Sequence, residues 1–181
     1  MDNKNEKKCD AAKRILLLAV VALGLVTGLS CSKPNPEEIE EAAGQQYFSI
    51  AFTSVDELNF YKGAPSSVSI CIYQLTDRRG FDSLRDNPNC MEQLLTCEKF
   101  DDTVVGRERL FINPGEKRTL DFERRRGVKY LAFAAGYHNS SITGSTLLVQ
   151  MPPVSRRGNK KPFLVGVLLE CERMLRNKSV E

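Results

Sequence analysis

SSVSICIYQL, residues 66–75, and YLAFAAGY, residues 130–137, are the two stretches that decide the fold. In the first, Val68, Ile70 and Ile72 alternate with Ser69 and Cys71, and the pattern runs on through Tyr73 to Leu75. Asp77-Arg78-Arg79-Gly80 then closes it with turn residues. A period of two belongs to a strand, whose successive side chains point to opposite faces. In the second stretch Leu131, Phe133 and Ala135 share a face in the same way. These two sets are expected to face each other across a sandwich, with the small residues Ala134, Ala135 and Gly136 letting the sheets approach closely.

Upstream, Phe48, Ile50 and Phe52 alternate with Ser49 and Ala51 in a half-buried strand. Downstream, Leu110 and Ile112 form a strand that stops at Asn113-Pro114-Gly115, a turn signal leading into a short strand at Thr119–Phe122. Leu147–Met151 and Phe163–Leu169 are two more strands, separated by the basic loop Pro152–Lys161. The pattern predicts a helical region at Phe81–Thr96. Asn87 is a capping residue, Pro88 suits a first helical position, and Met91, Leu94 and Leu95 make an i, i+3, i+4 stripe. Short strands at this spacing indicate an all-β, antiparallel β-sandwich with a short helical insertion.

The N-terminus reads as a targeting segment. Lys7, Lys8, Lys13 and Arg14 precede Ile15–Leu29, 15 residues without a charge. A spanning helix needs about 20 apolar residues, so this run suits a signal sequence better than a permanent anchor. The Gly24-x-x-x-Gly28 spacing is incidental in that setting, and Asp2, Glu6 and Asp10 dilute the basic region. The segment ends Gly28-Leu29-Ser30-Cys31-Ser32, which resembles a bacterial lipobox with Cys31 as the lipidated residue. It departs from the lipobox in carrying Gly28 where Leu is usual, and Gly28 with Ser30 also fits an ordinary cleavage site. An uncleaved anchor is the third alternative. Ser32 after the cysteine, where Asp would favour the inner membrane, favours the outer one by the same resemblance. The chain is thus divided into a signal peptide at 1–30, a lipidated N-terminus and tether at 31–46, and a periplasmic domain at 47–181. The tether is polar, with two prolines and an acidic run, although Pro36–Ala43 also reads as a short helix.

Charge and cysteine content narrow the function. Removing the five basic and three acidic residues of the first thirty leaves 21 basic against 20 acidic. A domain so balanced has no strong field for nucleic acid or anionic lipid. With Cys9 in the signal and Cys31 lipidated, Cys71, Cys90, Cys97 and Cys171 remain for an oxidising periplasm, with three possible pairings. Cys90 and Cys97 are seven apart. A continuous helix would separate them by about 10 Å, beyond the roughly 7 Å that a disulfide spans. Any bridge would then run to Cys71 or Cys171. No pair has zinc-ligand spacing, and His138 is the only histidine. No nucleophile elbow, H-E-x-x-H or phosphate-binding glycine loop occurs. His138 therefore reads as a turn or surface residue rather than a general base. Arg124-Arg125-Arg126, Arg156-Arg157 and Lys160-Lys161 read as solvated loops. The expectation is a protein that is not an enzyme and has no metal or other cofactor and no small-molecule substrate.

The order of several short motifs is more specific than any one of them. Asn59 is followed by Ser66–Leu75, by Phe81-Asp82-Ser83 and by Gln93-Leu94-Leu95. Ile112-Asn113-Pro114-Gly115-Glu116, Thr119-Leu120 and Tyr130–Tyr137 complete the series. This series behind a lipidation signal resembles the TssJ (SciN) lipoproteins of type VI secretion systems. In that family an Asn-containing loop, an I-Y-Q-L strand, a Phe-led helix, a P-G-E turn and a Y-L-x-x-x-A strand follow in this order. The resemblance covers residues 47–137 and weakens beyond them. The family often has Asn-Pro where this chain has Asn59-Phe60. The resemblance implies a transthyretin-like sandwich and an outer-membrane anchor for the secretion machine's membrane complex. The implied partner is the periplasmic C-terminal region of TssM. Other classes remain: a lipoprotein of another envelope assembly, such as a pilotin, or a transthyretin-like hydrolase or carrier. One histidine suits the hydrolase poorly. Secretion-system genes beside this one would favour the first reading.

The resemblance also points to the loop Val55–Ser67 between the first two strands as the partner-binding element. The residues give an independent reason. Leu58, Asn59, Phe60, Tyr61 and Lys62 form the candidate contact set, and the large apolar members lie between Asp56-Glu57 and Lys62-Gly63. Apolar residues in a loop either fold onto the core or wait for a partner. Phe60 could plug the sandwich end, Asn59 is expected to shape the turn, and Pro152–Lys161 is the alternative contact.

Overall fold

The structure is a computed structural model in which residues 46–87, 90–139, 141–153 and 163–180 are described. The readings on the signal segment, Cys31, the tether, the Pro36–Ala43 helix and most of the Pro152–Lys161 loop lie outside them. Among the described residues eight strands form two four-stranded sheets. They are β1 (Gln46–Ser54), β2 (Val68–Leu75), β3 (Val104–Ile112), β4 (Lys117–Arg124), β5 (Tyr130–Ala135), β6 (Thr146–Gln150), β7 (Phe163–Leu169) and β8 (Met174–Arg176). The first sheet has the order β4-β1-β7-β8 and the second β3-β2-β5-β6. The all-β sandwich expected from the alternating pattern is the fold observed.

One pairing corrects the antiparallel expectation. β1 and β7 run parallel, with Phe48 opposite Phe163 and Phe52 opposite Val167. Parallel neighbours need a long crossover, and here the whole second sheet lies between them in sequence. Alternation alone does not record strand direction.

A second correction concerns β2 and β5. They do not face each other across the sandwich but are hydrogen-bonded neighbours, with Ile70 opposite Ala135 and Ile72 opposite Phe133. Their inward residues meet β1 instead: Phe48, Ile50, Phe52, Val68, Ile70, Ile72, Leu131 and Phe133 belong to one core. The reason is the other face of β2. Cys71, Tyr73 and Leu75 are fully buried too, because two short helices cover them. A strand covered on both faces carries apolar residues at nearly every position. Ala132 and Ala134 belong to this outer layer with Phe81 and Leu94. Their small side chains let the helices approach the sheet; they do not bring the two sheets together.

The helical region is two pieces, α1 (Arg79–Arg85) and α2 (Met91–Leu95). Cys90, not Asn87, occupies the N-cap position of α2, and Pro88 lies outside the described residues. Three connections hold this layer down. Cys71 and Cys97 form a disulfide with their Cα atoms 5.4 Å apart. Tyr73 donates its hydroxyl proton to the Leu94 carbonyl. Arg109 donates to the carbonyls of Leu95 and Thr96, at the end of α2 where backbone oxygens lack helical partners. Cys97 thus bonds to Cys71 and not to Cys90, while Cys90 and Cys171 are free thiols.

The Pro114-Gly115 turn joins β3 of one sheet to β4 of the other. Gly115 sits at φ +69°, and a Cβ there would lie 2.6 Å from Asp56. Gln74 ties the sheets at the far end of β4: its amide donates to the Glu123 carbonyl at 2.9 Å and accepts from the Arg125 backbone N–H at 2.8 Å. This is the physical role of the Gln in I-Y-Q-L. Three elements were not expected from the sequence: β8, a third helix α3 (Ile142–Ser145), and a 3-10 turn at Lys178–Val180.

Candidate functional site: the loop between β1 and β2

Val55 begins the loop bound to the sandwich end: its N–H donates to the Leu169 carbonyl, and its carbonyl accepts from Gly115 N–H. Leu58 then turns inward and is fully buried in the main core. Burying a leucine contributes roughly 2–3 kcal/mol, enough to fix one point of the loop. This corrects the assignment of Leu58 as a contact residue, since it presents no surface. It is also Leu58, rather than Phe60, that plugs the sandwich end.

Asn59 follows at φ +48°, a left-handed conformation that Asn tolerates better than most residues. Its side chain is the hub of the loop. The amide nitrogen donates to Ser66 Oγ at 2.9 Å and to the Ser67 carbonyl at 3.2 Å. Its Oδ1 accepts from the backbone N–H of His138 at 2.8 Å. Ser66 returns a bond to the Asn59 carbonyl at 3.0 Å. Asn59 is nearly buried, as suits a residue that shapes the turn.

Beyond Asn59 the chain makes a small hairpin. Tyr61 and Ala64 exchange both backbone hydrogen bonds, at 2.9 and 3.2 Å. The two residues between them, Lys62 at φ +51° and Gly63 at φ +86°, are both left-handed. That is the pattern of a type I′ turn, in which the second position favours Gly. Phe60 and Tyr61 are 43% and 41% exposed, against full burial for Leu58. The Tyr61 ring stacks on the His138 imidazole with centroids 4.7 Å apart, and the Lys62 ammonium lies 5.2 Å from the Tyr61 centroid.

The connection between β5 and β6 is therefore part of the same surface. One residue before His138, Tyr137 fixes the start of this connection: its hydroxyl donates to the Arg173 carbonyl at 2.8 Å. Burial, with Glu170 nearby, holds that hydroxyl's pKa well above the ordinary tyrosine value. Sequence reading did not join His138 to the loop. The hydrogen bond to Asn59 spans 79 residues, and no local pattern records a contact of that separation.

His138 has its backbone bound to Asn59 and its ring stacked on Tyr61. Among the described residues no group of three or more His, Cys, Asp or Glu is placed to hold a metal. The basic run is also structural in part: the Arg124 guanidinium donates to the carbonyls of Val128 and Pro152, and Arg125 pairs with Glu123 at 3.9 Å.

A family model described as type VI secretion lipoprotein, with VasD, EvfM and TssJ as members, matches residues 46–167. No curated protein sequence matches. Three solved structures are similar in fold. One, of the type VI secretion protein TssM C-terminal domain from EAEC, has 17% identity and a TM-score of 0.58, covering 73% of this chain and 98% of that one. Serratia marcescens Lip, a membrane-bound component of the type VI secretion system, has 13% identity and a TM-score of 0.58, covering 74% and 98%. The type VI secretion lipoprotein TssJ1 of Pseudomonas aeruginosa has 16% identity and a TM-score of 0.55, covering 74% and 97%. At such identities the likeness is one of fold.

Proposed function

Since the chain belongs to the type VI secretion lipoprotein family, we propose that it anchors the secretion machine's membrane complex to the outer membrane. In this reading acyl chains on Cys31 hold one end. Each buried CH₂ contributes about 0.8 kcal/mol, so several chains make the attachment durable. The other end is the hairpin tip of the β1–β2 loop, which meets the periplasmic C-terminal region of TssM through Phe60, Tyr61 and Lys62. Asn59 positions these residues from below. The mechanism is adhesive and involves no catalytic step.

The observation that carries the reading is that two aromatic side chains stay exposed on a loop that does not need them for its own structure. Leu58, the Asn59 hub and the Tyr61–Ala64 bridge already hold it. A loop held in its bound shape loses little conformational entropy on association. Aromatic anchors are the usual interface hot spots, worth about 2 kcal/mol or more on truncation.

Two experiments test the two ends. Metabolic labelling with a palmitate analogue should mark the wild-type protein in the outer-membrane fraction and leave Cys31→Ala unmarked and out of that fraction. Equal labelling of both removes the lipid anchor, and a wholly soluble wild type favours ordinary cleavage after Ser30. For the other end, the full chain should capture the TssM periplasmic region, and Tyr61→Ala should lose it while melting near wild type. Unchanged capture by Tyr61→Ala places the contact elsewhere.

A further inference from the structure

The His138 ring is one of the two rings in the Tyr61 stack, yet it comes from a different loop, between β5 and β6. The backbone N–H of His138 is itself fastened to Asn59, the hub of the β1–β2 loop. Two loops that are distant in sequence are thereby locked into one face. That face presents the Tyr61–His138 stack with the Lys62 ammonium beside it, and the exposed Phe60 lies one residue before Tyr61 in the chain.

We infer that the partner-binding surface is this two-loop platform, with His138 a contact residue as well as the support of Tyr61, and that it receives a carboxylate-bearing apolar segment of a protein. The inference rests on the proposed function and extends it to a second loop and to the partner's chemistry. The exposed ring edges and Phe60 call for apolar side chains. Lys62 is exposed on the tight turn, and among the described residues its ammonium has no carboxylate partner, so an anion can meet it where it lies beside the Tyr61 ring. An aromatic platform in the periplasm could also meet the sugars of the cell wall. Sugar stacking needs an open ring face, and the Tyr61 ring already carries the imidazole and the Lys62 ammonium. A protein segment approaching the ring edges, the Tyr61 hydroxyl and Phe60 is the better fit.

The test measures affinity of the full chain, in detergent, for the periplasmic region of TssM. His138→Ala should weaken binding about tenfold with an unchanged melting temperature. Combined with Tyr61→Ala it should add little further loss, because both variants dismantle one stack. Lys62→Glu should weaken binding more than Lys62→Ala, and the gap should close as salt is raised. If Tyr61→Ala loses binding while His138→Ala binds as wild type, the platform is wrong and the single-loop reading stands. If neither variant loses binding, the contact lies off this surface and the platform falls; if the wild-type chain itself shows no affinity for the TssM region, the proposed function fails. If Lys62→Glu binds as well as wild type, the anionic partner segment is excluded. Co-sedimentation with purified cell-wall sacculi that depends on Tyr61 and His138 would overturn the protein partner in favour of a glycan.

Discussion

The chain leaves the second sheet's central strand in two directions, and the two excursions treat their apolar residues in opposite ways. After β2, the helical stretch turns Phe81 and Leu94 fully inward onto the sheet, and a disulfide and the Tyr73 hydroxyl fasten it there. Before β2, the loop turns in only Leu58, closes itself with hydrogen bonds around Asn59, and leaves Phe60 and Tyr61 outside. The first excursion uses its hydrophobicity to complete the fold. The second obtains its shape from one leucine, one asparagine and a two-residue turn, so its aromatic residues stay exposed, as the proposed contact requires. Exposure matters here because the loop is already ordered without those rings.

The contrast gives a ranked set of expectations. Leu94→Ala and Leu58→Ala should each lower unfolding free energy by roughly 2–5 kcal/mol in urea titrations, because both leave a cavity in close-packed surroundings. Leu58 is the sharper case. A small loss there would mean that the loop is not anchored through the core. Replacing Cys71 and Cys97 together by alanine should cost about 3 kcal/mol, the entropy of a cross-link spanning 26 residues. The same urea titration reads it, and a loss below about 1 kcal/mol would show that apolar packing alone holds the helices.

The Tyr73 hydroxyl adds a pH signature to the buried layer. Burial pushes its pKa from 10.0 up to about 12. A raised folded-state value gives stability that is complete below pH 10 and lost as pH rises towards 12. The window corresponds to roughly 3 kcal/mol. Tyr73→Phe should lack the decline attributable to this group between pH 10 and 12. At the small end, Phe60→Ala and Tyr61→Ala should change stability by no more than about 0.5 kcal/mol, as surface substitutions do. A loss of 2 kcal/mol in either would place that ring among the fold's supports and erase the contrast.

How much of this was legible in the sequence depended on the range of the interaction. Alternation placed seven of the eight strands, because burial of one face writes itself into every second residue. It missed β8, whose three residues are too few to show a period. It misassigned which strands face each other, because Cys71, Tyr73 and Leu75 are apolar for the sake of the helices and not of the other sheet. At the candidate site, the loop and its aromatic content were visible locally. The fate of Leu58 was not, since leucine carries no mark of the direction it will turn. Nor was His138, whose role arises from a contact that only the folded chain brings about.

The central claim is that the hairpin tip, and not another exposed aromatic surface, meets the secretion partner. Tyr47 provides the internal comparison: it lies on β1 and is 55% exposed, more than Tyr61 at 41%. A photo-crosslinking benzoylphenylalanine placed at Tyr61 or at Tyr47 of the full chain, irradiated in cells that express the secretion system, compares the two directly. The account predicts a crosslink from position 61 to the periplasmic C-terminal region of TssM and none from position 47. A crosslink to that region from position 47 with none from position 61 would contradict it.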